Sequence, residues 1–265
     1  MGAIYEFGVA RNARVVKARI KGTAHSALEQ LWRAFGRTFH DRPAQSVYGV
    51  PMVPNFADKT FRYCLYGTYG KYFSDYLDRI DYDFTFIDIG ANQGLYSLVA
   101  ARNPHCRKII AFEPVKRTFD FLSANIELNG ASARSVLLNA ALSDHAGTAQ
   151  IAVKANHSGV ASLAGHSGME GRPTETITLM DAAGLDQHIP ADLPIIVKID
   201  VEGHEGVVIA ELAKSAHFAQ VKAVFHEMDE RWAEAPKIRK MLVEGGFSKF
   251  RKFGIRRHYD ILAER

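Results

Sequence analysis

Residues Phe86–Gly94 read FIDIGANQG, an apolar run that ends in two glycines four positions apart, Gly90 and Gly94. Alternating apolar residues before Gly90 predict a short strand, and the run from Gly94 to Arg102 has helical spacing. Glycine lets a backbone turn sharply and come close to a ligand. The carboxyl end of a strand beside a helix amino terminus is where open α/β sheets hold nucleotides.

Along the rest of the chain, the apolar runs FTFIDIG, KIIAFEP, RSVLLNAAL, PIIVKIDVEG and VKAVFHEM are short and rich in β-branched and aromatic residues. Helical patterns lie between most of them, over Gly94–Arg102, Val115–Leu128, Glu205–Phe218 and Ala233–Glu244. This alternation predicts an α/β fold: a mostly parallel sheet with helices on both faces. Residues 148 to 180 break the rhythm with two weaker strand patterns around NHSGVASLAGHSGMEGR, read as a hairpin or lid insertion. The end, FSKFRKFGIRRHYDILAER, reads as two strands across a turn at Gly254.

The first 80 residues differ from the remaining 81–265 and are expected to form an extension that caps the acceptor side or makes a subunit contact. Ala24–Phe39 has helical spacing; KTFRYCLYGTYGKYFSDYLDRI reads as a short strand and turn, then a helix from about Ser74. Its aromatics Tyr63, Tyr66, Tyr69, Tyr72 and Phe73 suit either core or a stacking face for a sugar.

A chain of 265 residues with 47% hydrophobic and 23% charged residues is an ordinary globular balance, large enough to bury a core without disulfides or metal. Cys64 and Cys106 are far apart, which excludes a disulfide framework or cysteine zinc site and fits a reducing, cytoplasmic setting. A net charge of +4 does not require a polyanionic partner. The stretch KFRKFGIRRH has Phe250, Phe253 and Ile255 interleaved with its charges, as in a half-buried strand. No nucleic-acid partner and no membrane span are therefore expected, and a homo-oligomer stays open. The opening residues lack a signal peptide's apolar run, and Glu6 stands where a myristoylation motif needs Ser or Thr.

A nicotinamide fingerprint needs glycine at the first, third and sixth places. Counting from Gly90, the third and sixth places hold Asn92 and Leu95, which argues against an NAD-dependent oxidoreductase. Asp88, Gly90, Asn92 and Gly94 instead follow the acidic-x-Gly-x-x-x-Gly pattern of S-adenosylmethionine binders. Glu113 ends the second strand about 25 residues after Asp88, where an acidic residue grips a ribose. Pro114 follows it.

The runs FIDIGANQGLYSLVAA, IIAFEPVKRTFDFLSANIELNG, NAALSD, SGVASL and IVKIDVEGHE, in that order, resemble the FkbM family of S-adenosylmethionine-dependent methyltransferases over about residues 84 to 230. The resemblance implies the class I methyltransferase sheet, Rossmann-like with an antiparallel last strand, and O-methylation of hydroxyls on sugars or other natural products. Carried onto matching positions, it places Gly90, Asn92 and Gly94 at the methionine portion of the cofactor. Asp88 would hold that loop or the cofactor's ammonium, Glu113 the ribose, and Asn139, Ala140 and Ala141 the adenine, with Asp144 close by. In TITLMDAAG, Met180 intervenes before Asp181 where the family has Asp directly after Thr-Leu, which leaves the hairpin's register open.

Methyl transfer to a hydroxyl needs in-line alignment and a base for the acceptor's proton. KIDVEGHE supplies Lys198, Asp200, Glu202 and His204; FHEM supplies His226 and Glu227. Asp200 or His226 is the expected general base. Lys198 could instead neutralise nearby carboxylates, Glu202 could be a helix-start residue, and His204 a surface one. Asn156, Ser158 and Ser162 in the loop NHSGVASL, together with Glu202, are candidates for the acceptor side. A divalent metal held by Asp200, His226 and Glu227 is an alternative that no HxxxH or cysteine cluster supports. An RNA methyltransferase would share the cofactor site, but Asp-Val-Glu-Gly stands where base-amine methylating families carry Asn-Pro-Pro-aromatic or Asp-Pro-Pro-aromatic.

Overall fold

The computed structural model describes residues 42–154, 156–163, 171, 173–229, 235–254 and 257–265. The helix expected over Ala24–Phe39 lies outside them. Seven strands form the main sheet: β3 (Phe84–Ile89), β4 (Cys106–Phe112), β5 (Ser135–Leu138), β10 (Ile195–Ile199), β11 (Val221–Asp229), β12 (Lys249–Phe253) and β13 (His258–Glu264). Their order is β12-β13-β11-β10-β3-β4-β5. β5, β4, β3, β10 and β11 run parallel, and β13 lies antiparallel between β11 and β12. This is the class I methyltransferase sheet, with the antiparallel strand where the C-terminal pattern predicts it.

β3 and β10 are buried at every position, as suits central strands covered on both faces. One face carries α1 (Lys59–Tyr66), α2 (Tyr72–Asp78), α3 (Leu95–Arg102) and α4 (Lys116–Leu128) over Phe84, Phe86, Ile109, Ile196 and Phe225. The other carries α5 (Ala182–Asp186), α6 (Glu205–Leu212) and α7 (Ala235–Glu244) over Ile87, Ile110, Val197 and Val224. The chain winds outward from β3 toward β5, then restarts at β10 on β3's other side. The gap between β3 and β10 is thus the point where the winding direction reverses.

Residues 147–180 form more than a hairpin. β7 (Gly147–Ala152) pairs antiparallel with β9 (Thr174–Met180), and β6 (Ala141–Leu142) and β8 (Ser162–Leu163) complete a separate four-stranded sheet. The β7–β9 register is regular from Gly147↔Leu179 to Ala152↔Thr174. Met180 therefore only extends β9, and Asp181 caps α5 by accepting from the Gly184 amide.

Before the main sheet, β1 (Ala44–Gln45) and β2 (Pro51–Met52) make a small ribbon. The short strand expected after Lys59 is instead helix α1. Asp58 caps its start, accepting from the Phe61 amide, and Gly67 ends it in the left-handed conformation at φ 78°. Tyr48, Met52, Phe61, Phe73 and Leu77 join Phe84 and Phe86 in one apolar cluster. The helix expected to reach Phe218 stops at Leu212, and a 3-10 turn over Phe218–Gln220 follows. Among the described residues, no helix is long and apolar enough to cross a membrane.

Candidate active site

The cleft opens at the carboxyl ends of β3, β4 and β10, with about 860 Å³ of empty space including its mouth. Its floor is the glycine loop after β3. Gly90 sits at φ 75°, and a Cβ there would fall 1.9 Å from the Asp200 carbonyl oxygen. Only glycine lets the ends of β3 and β10 approach this closely. Asn92 is left-handed at φ 51°, its own Oδ1 accepting from the Gln93 amide. Gly94, at φ 89°, starts α3 where a Cβ would strike Leu122.

Glu113 is 5% exposed and braces this loop. Its Oε2 accepts from the Asn92 amide at 3.0 Å and its Oε1 from the Val115 amide at 2.9 Å. Burial pushes its pKa up to about 7 against the pull of those two amides. Each oxygen keeps a lone pair beyond the one engaged. Pro114, Ala140, Ala141, Leu142, Ile151 and Ile177 give the same end of the cleft apolar walls.

Two expected cofactor residues serve the scaffold. Asp88 is fully buried; its Oδ2 accepts from the Ser97 amide and hydroxyl at 3.1 and 2.7 Å, and its Oδ1 lies 3.3 Å from Lys198 Nζ. These contacts tie Asp88 to the start of α3 and to Lys198. Asn139 donates to the carbonyls of Glu113 and Pro114 at 2.9 Å each. Asp144 departs from expectation: it is exposed in the turn before β7, paired with His145 at 2.7 Å, and does not line the cleft.

The opposite end is acidic. Asp200, Glu202 and Glu227 gather there, while Tyr69 from the N-terminal segment and His204 also line the cleft. One carboxylate oxygen each from Asp200, Glu202 and Glu227 can be chosen so that all lie within 4.8 Å of one another. Burial, reinforced by Asp200 and Glu227, pushes Glu202 up to about 9, so it is protonated at neutral pH. Burial and then Asp200 also raise Glu227, although its Oε1 sits 2.8 Å from His258 Nε2. Asp260, opposite Glu227 on β13, is pushed up to about 7, first by burial and then by Glu227.

Lys198 is buried and donates from Nζ to the Gly90 carbonyl at 2.6 Å, with Asp200 Oδ2 at 3.7 Å. Burial works to lower its pKa, but Asp88 and Asp200 outweigh it and hold it above the ordinary lysine value. It stands as a buried cation between Asp88 and Asp200. Glu205 begins α6 and reaches back to accept from the Val201 and Gly203 amides, which sets the turn carrying Glu202. His204 lies with Nε2 3.3 Å from Ser143 Oγ.

His226 is not in the cleft. Side chains alternate along a strand, and β11 turns Phe225 toward the α1–α4 face and Glu227 into the cleft. His226 goes with Val224 and Met228 to the other face; it is 0% exposed and its Nε2 has no hydrogen-bond partner among the described residues. Burial pulls its pKa down to about 4. A base reaching an acceptor hydroxyl must lie within hydrogen-bond range of it, so the sheet itself removes His226 from the candidates. It equally removes His226 from a metal set with Asp200 and Glu227, where Glu202 stands in its place.

Of the acceptor-side candidates, Ser158 and Glu202 line the cleft. The Asn156 carbonyl accepts from the Lys59 amide, so its backbone joins the loop to α1. Ser162 pairs with Ala152 in β8, and its side chain lies outside the described residues. Tyr69, one of the aromatics named as either core or a stacking face, lines the cleft. Sequence reading missed Thr60, which also lines it, and Asp58 and Gln93, which bond to its lining loop.

Strand order, reversal point and glycine loop together define a class I methyltransferase domain. The chain belongs to the FkbM methyltransferase family: the methyltransferase FkbM domain model matches residues 88–249, more than half of it. Methyltransferase sdnD of Sordaria araneosa is 29% identical over 188 residues, spanning 61% of this chain and 72% of that protein. Among solved structures, the METTL16 methyltransferase domain superposes with a TM-score of 0.46 at 13% identity, covering 80% of this chain and 69% of that one. M. capricolum TrmK in complex with S-adenosyl-homocysteine gives 0.45 at 11% identity, covering 73% and 66%. The protein is a methyltransferase.

Proposed function

We propose that the chain transfers a methyl group from S-adenosylmethionine to a hydroxyl of a sugar or related natural product, with Asp200 as general base. The observation that carries this reading is one cleft lined both by the backbone cradle with Glu113 and by Asp200. The residues fit the donor. Glu113 offers spare lone pairs to ribose hydroxyls, the Ala140–Leu142 wall suits an adenine face, and the Gly90 turn lets backbone reach the methionine part. The donor supplies an activated methyl on a sulfonium. Asp200 takes the hydroxyl proton: its side chain is 37% exposed to the cleft, with Lys198 Nζ 3.7 Å away. Tyr69 and Thr60 bring residues 42–80 to the cleft wall, which supports their role as an acceptor cap.

A second reading draws on the oxygens of Asp200, Glu202 and Glu227, spaced so that one divalent ion could bind and acidify the hydroxyl. Calorimetric titration with S-adenosylhomocysteine tests the donor assignment. Micromolar binding is expected, weakened at least about tenfold in Glu113→Gln, whose amide would oppose one of the two bracing N–H groups. Binding of NADH instead would sink the assignment. Assays on hydroxylated sugars after chelation, with and without added Mg²⁺, separate the two readings of the acid end.

A further inference from the structure

Asp58 stands outside the cleft, yet its carboxylate gathers hydrogen bonds from three separate segments. Oδ1 accepts from the Phe61 amide of α1, from Gln93 Nε2 in the glycine loop at 3.1 Å, and from Ser158 Oγ at 3.0 Å. Oδ2 accepts from the Ser158 amide at 2.8 Å. Asp58 is 4% exposed, so these bonds form away from competing water.

The chain of contacts continues into the site. Ser158 Oγ lies 3.0 Å from Asn92 Oδ1 as well, so its single proton is shared between Asp58 and Asn92. The Asn92 amide in turn donates to Glu113. Around this path the same two segments are zipped together through backbone amides: Lys59 N donates to the Asn156 carbonyl at 3.0 Å, and Gly159 N donates to Thr60 Oγ1 at 2.8 Å. A Cβ on Gly159 would lie 2.8 Å from that hydroxyl, so the approach depends on glycine.

We propose that Asp58 is a positioning residue for the methyl donor: it clamps the Ser158 segment against the glycine loop, so that the Asn92–Glu113 cradle keeps its binding geometry only while the N-terminal segment is engaged. The proposal rests on the donor reading above. It assigns residues 58–60, which precede the family-matched region, a direct part in cofactor affinity.

Asp58→Asn isolates the clamp. Asparagine caps a helix as well as aspartate does, so Oδ1 still serves Phe61, Gln93 and the Ser158 hydroxyl. Its Nδ2 then faces the Ser158 amide, donor against donor. Using the full chain, S-adenosylhomocysteine affinity is expected to fall about tenfold with the ligand-free melting temperature nearly unchanged. Hydrogen exchange at amides 156–160, slowed by the ligand in the unaltered protein, is expected to lose that slowing. Ser158→Ala removes the hydroxyl link to Asp58 and Asn92 and keeps the amide link, so it should also lower affinity. The double variant should lose less than the sum of the two, because both links hold one segment against the glycine loop. Native affinity in Asp58→Asn, or losses that add in the double variant, would overturn the proposal and leave the donor reading standing. If Asp58→Asn does not fold, Ser158→Ala with native affinity overturns it equally. Failure of the unaltered chain to bind S-adenosylhomocysteine overturns both.

Discussion

At the β3–β4 end of the cleft, each polar group that shapes the site is spoken for by backbone: Glu113 by two amides, Asn139 by two carbonyls, Asp88 by the start of α3. At the β10–β11 end, carboxyl groups face one another instead, and Glu202, Glu227 and Asp260 are all pushed toward protonation. The first arrangement has its hydrogen bonds in place without any ligand. The second is held together at a cost that a bound acceptor, proton or cation can relieve.

The β3–β4 end is tested hardest at Gly90. Gly90→Ala places a methyl 1.9 Å from the Asp200 carbonyl and forces alanine to φ 75°. Neither backbone can give way without parting β3 from β10, so a loss of about 3 kcal/mol or more is expected. Gly130→Ala is the control, since Gly130 has φ 64° but no atom within 4 Å of where a Cβ would lie. There only the conformational cost remains, about 1 kcal/mol. Chemical denaturation of the two variants decides it: equal losses would mean that the close approach at the reversal point contributes nothing.

Glu202 tests the β10–β11 end. Its folded value is about 9 against an ordinary 4.5. Between those limits the unfolded chain has released the proton and the folded chain keeps it. The group's stability contribution is therefore most favourable below the unfolded value and declines as pH rises toward the folded one. Glu202→Gln removes the decline. Its melting temperature should exceed that of the native protein by a few degrees near about pH 8, on the order of 1–2 kcal/mol, and match it near about pH 4.5. Parallel melting curves across that range would show that the acid end stores no such cost.

The glycine-loop end was legible in the sequence because its pattern is local. Glycines at 90 and 94 and carboxyls at strand ends declare a turn and a ligand edge within a few residues. The acid end was half legible, with the right segments but the wrong side chain. VKAVFHEM is apolar at both alternating positions, so period-two reading could not tell which face His226 takes. Helix α1 was missed because Thr60, Phe61, Tyr63 and Tyr66 favour strands, while the deciding signals were the flanking Asp58 cap and Gly67 stop. The clamp at Asp58 was beyond reach, since its partners Gln93 and Ser158 lie 35 and 100 residues away.

His226 offers the smallest effect and the cleanest separation of support from chemistry. Buried on the back of β11, it holds a neutral ring whose pKa has dropped to about 4 from 6.5. Stability from this group is complete above the unfolded value and is lost as pH falls from there through the folded one, because the unfolded chain takes up a proton that the folded chain refuses. His226→Leu should flatten that acid limb and, at neutral pH, stay within about 1 kcal/mol of the native protein, since it also removes a buried nitrogen lacking a partner among the described residues. Methyl transfer should change less than about twofold, whereas Asp200→Asn should lose about a hundredfold or more in kcat. The reverse pattern, with activity lost in His226→Leu and kept in Asp200→Asn, would return the base to His226 and require β11 to turn its other face to the acceptor. Because Glu227 occupies the face now turned to the cleft, such a turn would carry it out of the acid end. The difference in pH dependence between the native protein and Glu202→Gln would then shrink by the part that Glu227 contributes, with burial and Asp200 still acting.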